Sequence, residues 1–326
     1  MRNMKKVLVT GVAGFIANRV AESLLAEGVE VVGIDNLNDY YDVRLKNYRL
    51  EQLQGKKGFQ FLKMDIENRE DLRDLFDKHQ FDVVFNLAAR AGVRYSMENP
   101  HVYMTTNAMG SLNLLEEMKR KNIKKFILAS TSSLYAGQKM PFSEDLAVNI
   151  PISPYAASKK AAEVMAYSYH YLFGIDVSIV RYFTVFGPAG RPDMSIFRFI
   201  KWIDQGDRLE VFGDGAQSRD FTFVEDIARG TILASKELGY EVINLGGGQN
   251  PISLNTVIAG IENRLGKKAA IDNRVFHAAD IKETWADISK AKRLLGWEPK
   301  ISFEEGLEKT IQWYLQNKSW LKDIQL

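Results

Sequence analysis

The run Val7-Leu8-Val9-Thr10-Gly11-Val12-Ala13-Gly14-Phe15-Ile16-Ala17 decides the fold. Lys5 to Thr10 is β-branched and alternates little, as expected of a strand buried on both faces. Gly11 and Gly14 then open an amphipathic helix through about Ala26. Gly28 ends that helix, and Val29 to Ile34 forms a second strand. Glycines at such a strand-to-helix turn let backbone N–H groups approach a pyrophosphate at a helix N-terminus, where the dipole favours negative charge. Asp35 closes the second strand, where a carboxylate can hold both hydroxyls of a ribose. No Arg or Lys follows Asp35 until Arg44, so a 2′-phosphate would meet an unshielded carboxylate. The pattern favours NAD over NADP.

Working outward, strand and helix keep alternating. Phe59 to Lys63 and Asp82 to Asn86 read as strands, the latter running into Leu87-Ala88-Ala89, small residues that let a flat cofactor lie against the backbone. Asn99 to Lys119 reads as one long helix. Lys125 to Ala129 is a fifth strand leading into Ser130-Thr131-Ser132-Ser133-Leu134-Tyr135, whose hydroxyls would face the crevice at the strand ends. Val177 to Arg181 is a sixth strand. After it the alternation becomes irregular: 182–219 reads as an excursion into a second lobe, and Asp220 to Leu233 and Val242 to Leu245 return to the sheet. Gly246-Gly247-Gly248 breaks the chain, and the rest is helix-rich. The predicted architecture is α/β: a doubly wound parallel-sheet Rossmann domain (1–181 and 220–248) with a smaller, discontinuous α/β C-terminal substrate lobe (182–219 and 249–326).

Composition narrows the partners. Lys plus Arg is 43 against 41 Asp plus Glu in 326 residues, so the net charge of +2 points to neither nucleic acid nor a membrane surface. There is no cysteine and only four histidines, none closely paired, which leaves no thiolate site and no expected metal. The first apolar run is short and broken by glycine, and none is long enough to span a bilayer. A soluble, cytoplasmic protein is expected.

Ser153-Pro154-Tyr155-Ala156-Ala157-Ser158-Lys159-Lys160 carries the chemistry. Pro154 suits a first helical turn, and the alanine-rich run to Ala166 favours helix. Tyr155 and Lys159 then share one helical face, with Lys160 elsewhere. An ammonium and a positive cofactor ring beside a phenol favour the phenolate, so Tyr155 can act as a base near neutral pH. An ordinary surface helix bearing a Tyr and a Lys is the plainer alternative.

The spacing G-x-x-G-x-x-A, with this Tyr and Lys, resembles the extended short-chain dehydrogenases/reductases. Ala17 stands where that branch most often has glycine, which implies weaker cofactor packing. Gly33-Ile34-Asp35-Asn36-Leu37-Asn38-Asp39-Tyr40-Tyr41-Asp42-Val43, Ala91 to Ser96, Tyr182 to Pro188 and Arg191 to Met194 make the chain most similar to the UDP-glucuronate 4-epimerases. Arg219 to Thr222 and Thr284 to Asp287 match nucleotide-sugar epimerases more widely. The resemblance implies catalysis by Tyr155, Lys159 and Thr131. It implies NAD contacts at Gly11, Gly14, Phe15, Ile16, Asp35, Asn36, Asp65, Ile66, Leu87, Ala88, Ala89, Tyr155, Lys159 and Tyr182, with Asn107 shaping the site. Asp65 would receive the adenine amino group, or else cap a helix.

For the UDP-sugar the resemblance implies Arg94, Ser132, Ser133, Thr184, Arg191, Phe212, Arg219 and Asp280. Arg191 would read the sugar carboxylate with Thr184 beside it, or simply pair with Asp193. Arg219 would meet the diphosphate, Phe212 the uracil and Asp280 the ribose. His277 stands where neutral-sugar epimerases often have arginine, and Ala136 lengthens the loop after Tyr135. Dehydratases of this branch carry Asp-Glu directly after the catalytic Thr; Ser132 and Ser133 cannot serve as carboxylate acids, and capping the strand end is the plainer reading of them. The implied reaction is 4-epimerisation of UDP-glucuronate. UDP-glucose or UDP-N-acetylglucosamine epimerisation, and a non-catalytic NAD-sensing role, are the alternatives. The resemblance also implies a homodimer through the Tyr155 helix and the one after Pro100, where Val102, Met104, Met109, Leu112, Val164 and Met165 would suit either that contact or packing on the sheet.

Overall fold

The computed structural model describes residues 4–248, 251–275 and 282–326. The strands are β1 (Lys6–Thr10), β2 (Glu30–Asp35), β3 (Phe59–Lys63), β4 (Val83–Asn86), β5 (Lys125–Thr131), β6 (Asp176–Tyr182), β7 (Thr184–Phe186), β8 (Arg208–Phe212), β9 (Ser218–Arg219), β10 (Phe221–Phe223), β11 (Tyr240–Leu245), β12 (Ile252–Ser253) and β13 (Ala270–Arg274). Among the described residues seven of them form one parallel sheet in the order β11-β6-β5-β4-β1-β2-β3. The direction of winding reverses beside β1, between β4 and β2, and this is where an open α/β sheet leaves a crevice at its strand ends.

Helices cover both faces because the strands are apolar on both. Val7 and Val9 of β1 enter one core cluster, and Leu8 enters the other. β5 divides in the same way: Ile127 and Ala129 to the first side, Phe126 and Leu128 to the second. On the first side α1 (Phe15–Ala26) brings Val20, Ala21 and Leu24. The helix α2 (Val43–Glu51) follows β2, with Asp42 as its N-cap accepting from the Arg44 N–H. On the second side lie α3 (Arg69–Lys78), with Leu72, Leu75 and Phe76, and the long helix before β5.

That long helix is the first departure from expectation. After α4 (Val93–Glu98) come α5 (His101–Tyr103), a wider π-helical turn over Met104–Met109, and α6 (Gly110–Arg120). Such turns interrupt α-helices frequently at functional sites. The helix α7 (Pro154–Phe173) starts as expected, with the Ser153 hydroxyl accepting the Ala156 N–H and Pro154 in the first turn, and it stops at Gly174 with φ +62°.

Only part of 220–248 returns to the large sheet. Phe221–Phe223 pairs with Thr184–Phe186 in a separate two-stranded sheet, and Tyr240–Leu245 pairs with β6 at the edge. Between them α9 (Val224–Leu233), numbered after α8 (Ser195–Gln205), packs on α1. A third core cluster joins α8, α10 (Leu254–Leu265) and α12 (Phe303–Gln316) through Ile196, Ile200, Val257, Ile261, Leu307 and Ile311. The parallel pair β8 and β13 lies in the same part of the chain.

Candidate active site

A cavity of about 750 Å³ opens at the carboxyl ends of the strands. Its cofactor end is built by the glycine turn. Gly11 has φ +68°, and a Cβ there would lie 2.7 Å from the Ala88 Cα, so the β1 and β4 ends close tightly only around glycine. Gly14 is the N-cap of α1, without any side-chain cap bond and with no acid in the first turn. The first N–H groups of α1, at Phe15 and Ile16, are therefore unspent and lie in the cavity wall, which suits a pyrophosphate. Asp35 is buried and accepts the N–H groups of Ala13 (3.1 Å) and Leu37 (2.8 Å), tying the acid to the turn. Asp65 accepts from the Asn36 amide at 2.7 Å and the Glu67 N–H at 2.9 Å, while Asn68 caps α3. The lining includes Gly11, Gly14, Phe15, Ile16, Asp35, Asn36, Asp65, Ile66, Leu87, Ala88 and Ala89. Ala17 is also in the lining and buried in the core. These features fit a dinucleotide.

In the middle of the cavity α7 presents Tyr155 and Lys159. Burial raises the Tyr155 phenol above its ordinary pKa; a hydrogen bond with Thr131 and the charge of Arg191 oppose this. The Lys159 ammonium donates to the Ala129 carbonyl at 2.9 Å. Burial pushes its pKa down to about 8, against the pull of Glu163. Thr131 also accepts the Ser133 N–H at 3.1 Å, so its hydroxyl joins the start of a short helix to the phenol. Asn107, in the π turn, holds both backbone groups of Arg90 at 2.9 Å and donates to Ser158 on α7 at 2.9 Å. Beneath lies a buried pair, Glu163 with Arg181 (2.7 Å), to which Ser130 donates at 2.6 Å. Tyr182 lines the cavity, but its hydroxyl is bonded to Thr231.

At the far end Arg191 is already bound to Asp193, Nε at 3.0 Å and Nη2 at 2.5 Å. Burial works against the guanidinium's charge, yet Asp193 outweighs it and the proton is held more firmly than usual. The pairing with Asp193 that the sequence left as an alternative is thus present, and it uses one edge of the fork. The Tyr40 ring lies 5.8 Å from the Arg191 guanidinium. A Cβ on Gly92 would lie 2.4 Å from the Tyr40 hydroxyl, so glycine is needed there for the approach. Arg94 lies over the Phe212 ring at 3.9 Å, covering the face expected to carry a base. Arg219 donates to the carbonyls of Ser218 (2.8 Å) and Lys282 (3.3 Å). Ser132, Ser133, Ala136 and Thr184 complete the wall. Asp280 and His277 lie outside the described residues.

Among the lining residues that sequence reasoning did not assign to the site, three bear on its chemistry. Lys46, donating to the Asn38 carbonyl at 2.7 Å, is pushed down to about 8 by burial, with Asp35 opposing. The first cation after Asp35, Arg44, is exposed and paired with Asp42; Lys46, two residues on and about half a helical turn round, faces the cavity instead. Tyr40 stood only in a run quoted for resemblance. Arg198 carried no local signal, and its buried Nε has no hydrogen-bond partner among the described residues. Among the described lining residues seven cations face four carboxylates, a surplus suited to polyanionic ligands.

The chain is similar to known proteins along almost its whole length. The family profile described as GDP-mannose 4,6 dehydratase matches residues 8–310. A UDP-glucuronate 4-epimerase of Thermodesulfobacterium geofontis is 59% identical over 98% of this chain and 99% of its own. A probable UDP-glucuronate 4-epimerase of Rhizobium meliloti is 38% identical, covering 96% of this chain and 97% of its own. The crystal structure of a UDP-glucuronic acid 4-epimerase from Bacillus cereus, in complex with UDP-glucuronic acid and NAD, superposes with a TM-score of 0.90 at 40% identity, over 96% and 99% of the two chains. On this footing the chain belongs to the GDP-mannose 4,6 dehydratase family of the extended short-chain dehydrogenases/reductases.

Proposed function

We propose that this protein is an NAD-dependent UDP-glucuronate 4-epimerase, forming UDP-galacturonate through a transient 4-keto intermediate. The observation that carries it is that Tyr155, Lys159 and Thr131 line one cavity, with Ser132 and Ser133 after Thr131 where a dehydratase needs carboxylates. The relatives described above act on, or bind, UDP-glucuronate. Inversion at C4 needs hydride removal and return, because a C4 hydroxyl's C–H is not acidic. Bound NAD supplies that chemistry, accepting the C4 hydride and giving it back.

The chain does the rest. Gly11, Gly14 and the start of α1 seat the pyrophosphate, Asp35 and Lys46 the adenosine ribose, and Asp65 the adenine. Tyr155 takes the C4 hydroxyl proton and returns it, with Thr131 bonding the reacting oxygen and Lys159 stabilising the phenolate. Ser132 and Ser133 offer hydroxyls without the basicity to take a proton from C5. Arg191 meets the sugar carboxylate with Thr184; Arg219 and Arg198 meet the diphosphate; Phe212, once Arg94 swings off its face, carries the uracil. The division into a cofactor domain (1–181 and 220–248) and a sugar-nucleotide lobe (182–219 and 249–326) belongs to the same proposal. So does a cytoplasmic place; among the described residues no helix is long and apolar enough to cross a membrane.

The test is incubation with UDP-glucuronate, UDP-glucose and UDP-N-acetylglucosamine, followed by NMR of the sugar ring. Purified protein is expected to carry NAD rather than NADP and to equilibrate UDP-glucuronate with its C4 epimer. Turnover of a neutral sugar alone would reverse the assignment.

We also propose a homodimer through α7 and the α5–α6 helix. Met104 (44%), Met109 (51%) and Val164 (50%) are exposed there, and Tyr167 (50%) extends the patch. Leu112 and Met165, by contrast, pack partly on the core. Light scattering at micromolar concentration should give twice the chain mass for the wild type and the single mass for Val164→Glu. A wild-type monomer would dispose of the dimer.

A further inference from the structure

Arg49, on α2, is a large buried cation, with 2% of its surface exposed. It is bound by neutral oxygens. Its Nε donates to the Ala189 carbonyl (2.9 Å) and its Nη2 to the Gly190 carbonyl (3.1 Å). Its Nη1 donates to the Ala13 carbonyl (3.0 Å) and to the Tyr41 hydroxyl (2.6 Å). The Phe15 and Tyr41 rings lie against it at 6.0 and 5.4 Å. One planar fork therefore grips the glycine turn from below and, on its other side, the two residues directly before Arg191.

Those two residues need a clamp. Ala189 has φ +56°, a conformation a non-glycine residue adopts at a cost. Its carbonyl and the next are each held by Arg49. The anchor is itself fixed to α1, since the Arg49 carbonyl accepts from the Asn18 amide at 2.7 Å.

We propose that Arg49 is a positioning residue that sets Arg191 relative to the cofactor turn, so that recognition of the sugar carboxylate depends on a guanidinium that never touches the sugar. The proposal rests on the reading of Arg191 as the carboxylate's partner. A lysine at this position would keep the charge but lose the planar fork that reaches Ala13, Ala189 and Gly190 together. The Ala189 turn would relax, and Arg191 would shift with it. Affinity for the carboxylate-bearing ligand should suffer, while affinity for the nucleotide alone should not.

The experiment compares binding of UDP-glucuronate and of UDP, by calorimetry, in NAD-loaded wild type, Arg49→Lys and Tyr41→Phe, with NAD content and thermal melting measured for each. Tyr41→Phe removes one oxygen from the clamp and no charge, and serves if Arg49→Lys does not fold. For Arg49→Lys, affinity for UDP-glucuronate should fall about tenfold, with that for UDP changed less than about twofold. Tyr41→Phe should move in the same direction, by a smaller factor. Parallel loss of both affinities, or no loss of either in a folded variant, overturns the positioning role. A wild type that binds UDP-glucuronate no better than UDP would instead count against the reading of Arg191 itself.

Discussion

Tyr155→Phe is expected to lower epimerase turnover by about a thousandfold or more, the scale of a removed general base. The fold and the retained cofactor should survive. Phenylalanine keeps the ring that stands 6.0 Å from Tyr103, and α7 holds its course through Ser153, Pro154 and the buried Lys159 regardless. What is lost is the oxygen that Thr131 bonds and that the C4 proton must reach. In the protein alone, burial keeps that phenol protonated, so it becomes a base only when positive charge gathers around it. Arg191 already supplies some of that charge, and Lys159, four residues along the same face, is placed to add more, its own proton loosened to about 8. Rates with UDP-glucuronate, beside melting curves and NAD content, make the measurement. Wild-type turnover in the variant would remove Tyr155 from the chemistry and revive a non-catalytic, NAD-binding role.

Arg191→Ala is expected to lose epimerisation and to divert the residual oxidation. A 4-keto uronate is a β-keto acid, so it loses carbon dioxide spontaneously once its carboxylate C–C bond stands perpendicular to the ketone plane. A cation on the carboxylate opposes this twice, by holding it out of that alignment and by stabilising a charge that departure would remove. Asp193 occupies the Nε and Nη2 edge of Arg191 and fixes the plane of the guanidinium. Nη1 makes no hydrogen bond to a described residue, and under the proposed function it is the side that meets the sugar. The variant should therefore release carbon dioxide and a 4-keto pentose, with reduced-cofactor absorbance growing to the extent that this ketone leaves the site before the hydride returns to C4. Epimerisation at the wild-type rate would show that the carboxylate is read elsewhere, and the neutral-sugar alternative would gain most.

The legible parts of the molecule were those written in neighbouring residues. The Gly11 turn, Asp35 after β2, the Pro154 start of α7 and the Tyr155–Lys159 spacing are local patterns, each with a physical reason inside one or two turns of chain. The alternation of strands was legible because Val7, Leu8 and Val9 have to be apolar on both faces of a covered sheet. The illegible parts were meetings between distant segments. Arg94 on Phe212, Tyr40 beside Arg191 and Arg49 under Ala189 join residues that nothing along the chain marks as neighbours. Phe221–Phe223 was misplaced for a related reason: its apolar triplet suits an edge of the large sheet as well as the small one it actually pairs in. The resemblance named Arg94, Phe212 and Arg191, but not what they touch in the free protein, and it did not name Arg49 at all.

The π turn at Met104–Met109 makes chain length itself part of the active site. A π turn is an α-helix that has swallowed one extra residue and bulged to hold it, leaving the winding before and after in phase. Leu114, Leu115 and Met118 downstream therefore still face the core as though nothing had been added. The extra residue contributes little to that packing; it widens the helix where Asn107 leaves it to take both backbone groups of Arg90. Seen as an insertion, it looks dispensable, and deleting it would leave a smoother helix with its buried face intact. The loss would fall on Arg90 and the wall beside it, which would give up the amide that pins them to α7. Substitution scans, which keep every residue in its numbered place, would pass over this dependence; only a change in the count of residues exposes it.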